Sequence, residues 1–182
     1  MPVPRNIFIT GRPGIGKTTA IVKVIELLDL PVHGFTTAEI REGRKRVGFE
    51  IKDMQGNAAV MAHVDFPGPI RVGKYGVDTG AVEAVGAEAL RRALERRTPA
   101  VVDEVGKMEL ACPAFVDALL AAVAADIPVL GTMHLRADEA TRSIRAREDT
   151  QIMEITRANR NELPRRLADL LKQAAGVATD PS

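Results

Sequence analysis

Cysteine is nearly absent: Cys112 stands alone among 182 residues. No internal disulfide can staple this chain, and no thiolate cage can hold zinc. A lone thiol suits a reducing compartment, so a cytoplasmic location is expected. Tryptophan is missing, and the aromatics are five Phe and one Tyr, too few for stacking platforms that bind single strands. Neither sign of charge dominates. Lys and Arg number 25 against 24 Asp and Glu, a net charge of +1, so bulk charge would not hold nucleic acid or an anionic membrane. No apolar run approaches the roughly 18 residues of a membrane helix, and Met1-Pro-Val-Pro-Arg5 lacks the order of a signal peptide. Apolar residues at 46% and charged residues at 27% describe a soluble globular chain. The expectation is one domain over 1–182, with 175–182 as a loose C-terminal tail.

What is present is a regular alternation of elements. Asn6 to Thr10 is a short apolar run ending in a glycine turn, a buried-strand signal. A helix follows from Lys17 to Leu28, with Ile21, Val24, Ile25 and Leu28 on one face. Phe35 to Ile40, a turn at 41–44 and Val47 to Met54 read as a hairpin, with Val47, Phe49 and Ile51 sharing a side. Ala58 to Val64 is a third strand, and Arg71 to Asp78 a short strand or loop. Helices at about 79–97, across Phe115 to Val123, at 138–148 and across Leu163 to Leu171 then alternate with strands at Ala100 to Val105, Pro128 to Thr132 and Gln151 to Thr156. Strands separated by helices imply parallel pairing with right-handed crossovers, hence an α/β sandwich carrying an added antiparallel hairpin.

Gly11-Arg12-Pro13-Gly14-Ile15-Gly16-Lys17-Thr18, followed by Thr19, fits the phosphate-loop pattern G-x-x-x-x-G-K-[ST] between a strand and a helix. Phosphate recognition needs several backbone N–H groups converging on one anion, which bulky side chains would block. The glycines permit that wrap, and the helix N-terminus adds its positive end. Lys17 is placed for the β- and γ-oxygens, and the Thr18 hydroxyl for magnesium. Val101-Val102-Asp103-Glu104 is an apolar strand ending in two acids. Asp103 there would support the metal shell, and Glu104 would take a proton from attacking water. Asp103-Glu104-Val105-Gly106 also reads as D-x-x-G, but no N-K-x-D for guanine occurs in the chain. A dedicated GTP switch is therefore disfavoured.

Gly11 to Thr19, Arg71-Val-Gly-Lys-Tyr75 with Val77-Asp78, Val102-Asp-Glu-Val-Gly-Lys-Met-Glu-Leu110, Gly131-Thr132 and Thr156-Arg-Ala-Asn-Arg-Asn161 occur in that order. In this the chain resembles the cancer-related nucleoside-triphosphatases and their archaeal and thermophile-bacterial relatives, over about Ile7 to Leu171. The resemblance implies a three-layer P-loop NTPase fold of the RecA-like branch. It also implies magnesium-dependent hydrolysis of ATP, GTP, CTP and UTP with loose base preference. It assigns Gly11 to Thr18 as the phosphate loop, and the strand end Val101 to Lys107, with Asp103, Glu104, Gly106 and Lys107, as a second nucleotide-contacting segment. The helix at 79–97 matches the family poorly.

Further candidates are Lys107, able to reach the γ-phosphate or to stand as a surface lysine, and Thr132, able to orient water or to cap a turn. Arg145 and Arg147 are candidates for neutralising transition-state charge, against a solvated helix face. Arg160 is open to base or ribose, and Asn161 is read as the N-cap of the last helix. Arg44-Lys45-Arg46 reads as a solvated turn, and His33, His63 and His134 as packing or loop residues. Two rival functions remain open. A nucleotide or small-molecule kinase would show little hydrolysis without its acceptor. A nucleotide-controlled binding module would retain nucleotide without turnover. The sequence names no protein partner.

Overall fold

The computed structural model describes residues 3–134 and 139–177. Among these described residues nine strands form one sheet: β1 (Asn6–Thr10), β2 (His33–Glu42), β3 (Lys45–Asp53), β4 (Ala58–His63), β5 (Arg71–Val72), β6 (Tyr75–Val77), β7 (Ala100–Val105), β8 (Val129–Met133) and β9 (Thr150–Glu154). Their order is β5-β6-β4-β3-β2-β7-β8-β1-β9. The segment from β2 through β7, β8 and β1 to β9 is parallel, and β3, β4, β6 and β5 extend it antiparallel. The expected hairpin is therefore the start of a four-strand extension.

Residue alternation assigns the two faces. Ile7 and Ile9 of β1, Val101 of β7 and Leu130 of β8 point to one side. There they meet Ala20, Ile21 and Val24 of α1 (Lys17–Leu27) and Leu163, Leu167 and Leu171 of α6 (Leu163–Ala174). Phe8, Phe35, Val102 and Val129 point to the other side, against Leu90 of α3 (Glu88–Arg96) and Phe115 and Leu119 of α4 (Pro113–Ala124). Each fully buried large apolar side chain is worth roughly 1.5–3 kcal/mol, and Phe35 meets Phe115 edge to face at 5.7 Å. The three-layer α/β arrangement expected from the sequence is present.

Several elements differ in detail. The helical stretch before α3 begins with α2 (Thr79–Ala81) and passes through a wide π turn over Val82–Ala87, where Gly86 lets Ile51 approach to 3.0 Å of its absent Cβ. Helix α5 (Glu139–Arg145) stops short of the expected Glu148, and its expected start at Asp138 lies outside the described residues. Asn161 does not cap α6. The residue at the cap position is Glu162, with no side-chain cap bond. Asn159 orders that loop instead, accepting from Thr156 N–H and donating to the Glu154 carbonyl. At the other end, Gly176 (φ 71°) reverses the chain, and Val177 N–H returns to the Lys172 carbonyl at 3.0 Å. Residues 175–177 thus close α6 rather than trail loosely, and 178–182 lie outside the described residues.

Candidate functional site

All five parallel strands point their C-terminal ends to one edge, where the phosphate loop leaves β1 and the acids end β7. Strand β8 lies between them. In the loop, Gly14 (φ 74°) and Gly16 (φ 109°) occupy left-handed backbone that other residues rarely adopt. A Cβ on Gly11 would stand 2.9 Å from the Ile155 carbonyl oxygen. Gly16 starts α1 without any side-chain cap bond, so the first amides of the helix keep their donors for an anion. Lys17 Nζ donates to the Gly11 carbonyl at 3.3 Å, spanning the loop. Arg12, Pro13, Thr18 and Thr19 are exposed, and Ile15 anchors the loop against the α1–α6 core.

On β7 the pairing with β8 slips. Val102 stands opposite Gly131 and Val105 opposite Met133, leaving Asp103 and Glu104 together opposite Thr132. This bulge turns two consecutive carboxylates toward the same neighbouring strand, which a regular strand would send to opposite faces. Asp103 Oδ1 accepts from Thr132 Oγ1 at 2.9 Å. Glu104 Oε1 lies 3.0 Å from His134 Nε2. Burial raises the Asp103 pKa, opposed by the Thr18 and Thr132 hydroxyls and the Thr37 N–H, and aided by repulsion from Glu104. Its other oxygen, Oδ2, is buried without a hydrogen-bond partner. A buried carboxylate with an unanswered oxygen beside a threonine hydroxyl fits a hard cation. Thr18 and Asp103 are the residues that would hold it, with phosphate oxygens and water completing the set.

Beyond the acids, Gly106 N–H donates to Glu109 Oε2 at 3.2 Å. Glu109 is fully buried, and burial drives its pKa up to about 8, with further upward pressure from Glu104 and Asp103. Lys107 is exposed on this turn. Val101, Val102 and Val105, expected among the nucleotide contacts, are instead wholly buried in the two cores. Their side chains fix the strand that carries the two acids.

The arginines separate. Arg145 Nη2 donates to the His134 carbonyl at 2.6 Å, beside the acids. Arg147 pairs with Asp149 at 2.9 Å, next to Arg5 and Asn6 at the start of β1, the opposite end of the sheet from the phosphate loop. It is not brought to the site. Arg160 lines a cavity of about 550 Å³ beside the loop, together with Arg12, Arg157 and Glu154. His134, expected to serve packing or a loop, touches Glu104. His33 meets Thr98 at 2.8 Å and His63 lies 3.5 Å from Asp65, as structural residues do. Arg46 is tied to Glu39 and Tyr75 on the antiparallel extension.

A family profile described as NTPase matches residues 6–168. The chain belongs to the NTPase family. Among curated relatives, nucleoside-triphosphatase THEP1 of Thermofilum pendens is 44% identical over 170 residues, covering 90% of this chain and 93% of that protein. The protein of the same name from Thermotoga maritima is 40% identical over 167 residues, covering 92% and 95%. Among solved structures, THEP1 from the hyperthermophile Aquifex aeolicus superposes with a TM-score of 0.84 at 32% identity, covering 92% of this chain and 99% of that one. A human cancer-related nucleoside triphosphatase superposes with a TM-score of 0.81 at 32% identity, covering 93% and 98%. The family resemblance read from the motifs is borne out, and with it the P-loop NTPase fold. Among the described residues no helix is long and apolar enough to cross a membrane.

Proposed function

We propose that this chain is a magnesium-dependent nucleoside-triphosphatase of loose base preference, converting ATP, GTP, CTP and UTP to the diphosphate and phosphate. The observation that carries the reading is the β7 bulge, which presents Asp103 and Glu104 side by side across β8 from the phosphate loop. The relatives, nucleoside-triphosphatases by name, support the reaction class.

In this reading the loop amides from Gly11 to Thr18 bind the β-phosphate. Lys17 releases the Gly11 carbonyl and moves onto the β- and γ-oxygens. Asp103 is held through Oδ1 by Thr132, keeping Oδ2 toward Thr18. Thr18 and Asp103 would hold magnesium, which supplies neutralisation of the phosphate charge when bound. Glu104 aligns the attacking water and accepts its proton, work of the order of 10²–10⁴-fold in rate. Lys107, exposed on the turn after the acids, would bring its ammonium to the γ-phosphate.

Loose base preference is supported by the cavity beside the loop. Its lining includes Arg12, Arg157 and Arg160 alongside Glu154, Ile155 and Thr156, and guanidinium planes stack on any base face. The test is phosphate release from each of the four nucleotides, with magnesium and with chelator. Release from several nucleotides, abolished by chelator, is the expected result. Nucleotide binding without phosphate release above background would refute the triphosphatase and leave the kinase or binding-module alternatives.

A further inference from the structure

Glu104 is a long side chain standing only one-quarter exposed beside two other acids. Asp103 precedes it in the chain, and the Glu109 carboxyl is buried against Gly106. A Cβ on Gly106 would sit 2.9 Å from Glu109 Oε2 and 3.4 Å from Glu104 Oε1. The hydrogen bonds that Asp103 and Glu109 accept from Thr132 and from Gly106 N–H do not fix the Glu104 carboxylate. A general base needs the reverse. Its oxygen must stay within hydrogen-bond reach of one water through the reaction.

The one side chain among the described residues within ion-pair distance of Glu104 is His134, with Nε2 at 3.0 Å from Oε1. Its place follows from strand geometry. Thr132 and His134 are two residues apart on β8 and its immediate continuation, so both address the same side of the strand. Thr132 meets Asp103 and His134 meets Glu104. His134 is itself braced, because Arg145 at the end of α5 donates to its carbonyl oxygen at 2.6 Å.

We propose that His134 is a positioning residue for Glu104, holding Oε1 so that Oε2 is directed at the attacking water, with Arg145 fixing the backbone from which His134 reaches. The inference rests on the reading of Glu104 as the base. With its proton on Nε2 the imidazole needs no net charge for this task, and the contact costs little desolvation because the His134 side chain is half exposed. Arg145, a candidate for touching the phosphates, is thereby assigned to the support of His134.

The experiment measures kcat and KM for ATP with magnesium in His134→Ala, His134→Gln, Glu104→Gln and the double variant His134→Ala/Glu104→Gln. Glutamine carries an N–H donor at similar reach. The half-exposed position makes folding failure an unfavourable explanation, checked by an unchanged melting temperature. The expected result is a kcat about tenfold or more lower in His134→Ala, KM within about threefold, and most of the loss recovered in His134→Gln. A tenfold loss corresponds to about 1.4 kcal/mol of transition-state stabilisation. In the Glu104→Gln background, removing His134 should have no further effect, since it acts only through that carboxylate. A wild-type kcat in His134→Ala overturns the inference, as does an equal fractional loss with and without Glu104. If Glu104→Gln keeps the wild-type rate, the reading of Glu104 has failed and this inference falls with it.

Discussion

Replacing Glu109 by glutamine should stabilise the magnesium-free protein at neutral pH and flatten its pH dependence. The Glu109 carboxyl is buried between Gly106 and the acid pair, and burial raises its pKa from the ordinary 4.5 to about 8. At pH 7 the folded state keeps the group protonated, whereas the unfolded chain has ionised it. Each unit of separation is worth about 1.4 kcal/mol, so the wild type forgoes roughly 3 kcal/mol at pH 7 relative to a neutral isostere. The sign follows from proton binding. The folded state binds more protons than the unfolded one between about pH 4.5 and 8, so wild-type stability is complete below that window and falls as pH rises through it. Glutamine keeps an acceptor for the Gly106 N–H and carries no charge to lose. Urea unfolding in chelator, stepped across pH 4 to 8, should show the two proteins converging near pH 4 and separating to a few kcal/mol by pH 7–8, with unchanged m-values. Parallel pH profiles would show that Glu109 is ionised in the fold, and the reasoning would be wrong.

Other consequences are sharp enough to check. Lys17→Ala should weaken triphosphate binding by at least tenfold, since a charge-assisted contact is worth about 1.5–3 kcal/mol; titration with a fluorescent nucleotide analogue reads it, and unchanged affinity contradicts the cradle. Thr132→Val removes the hydroxyl that holds Asp103 Oδ1; hydrolysis should fall at least tenfold, with a stability cost in chelator of about 1–3 kcal/mol from the exposed need of a buried acceptor. Gly131→Ala would bring a Cβ to 2.6 Å of the Phe8 ring and 3.0 Å of the Val102 carbonyl, costing about 1–3 kcal/mol in chemical denaturation. Arg147→Ala, far from the phosphate loop, should leave kcat and KM at wild-type values.

The strands, the phosphate loop and the acid pair were legible because their signals are local. An apolar run closed by glycines and followed by Lys17-Thr18 has few other physical solutions, and Val101-Val102 could only be a buried strand. What escaped the sequence depends on strand adjacency and register. Nothing in residues 100–105 announces a bulge, so both acids facing β8 could not be read from alternation. The contact of His134 with Glu104 spans thirty positions and exists because β7 and β8 pair with a one-residue slip. His134 beside Gly131-Thr132 at the end of a strand next to the acid strand was the available signal. Arg145 and Arg147 look equivalent in sequence, but α5 ends at Arg145 and the chain then drops toward β9. Arg147 therefore meets Asp149 at the far end of the sheet. Asn161 looked like a cap by spacing, while Asn159 took the loop-ordering role by reaching the Glu154 carbonyl and Thr156 N–H.

The central claim is that Glu104 takes the proton from water while the phosphate loop binds the nucleotide independently of it. The measurement that tests it most directly is single-turnover hydrolysis of ATP with magnesium by wild type and Glu104→Gln, alongside nucleotide affinity for each. The account predicts affinity within a few-fold of wild type and a chemical step slower by about 10²-fold or more. A Glu104→Gln protein that binds ATP and hydrolyses it at the wild-type rate would contradict the account.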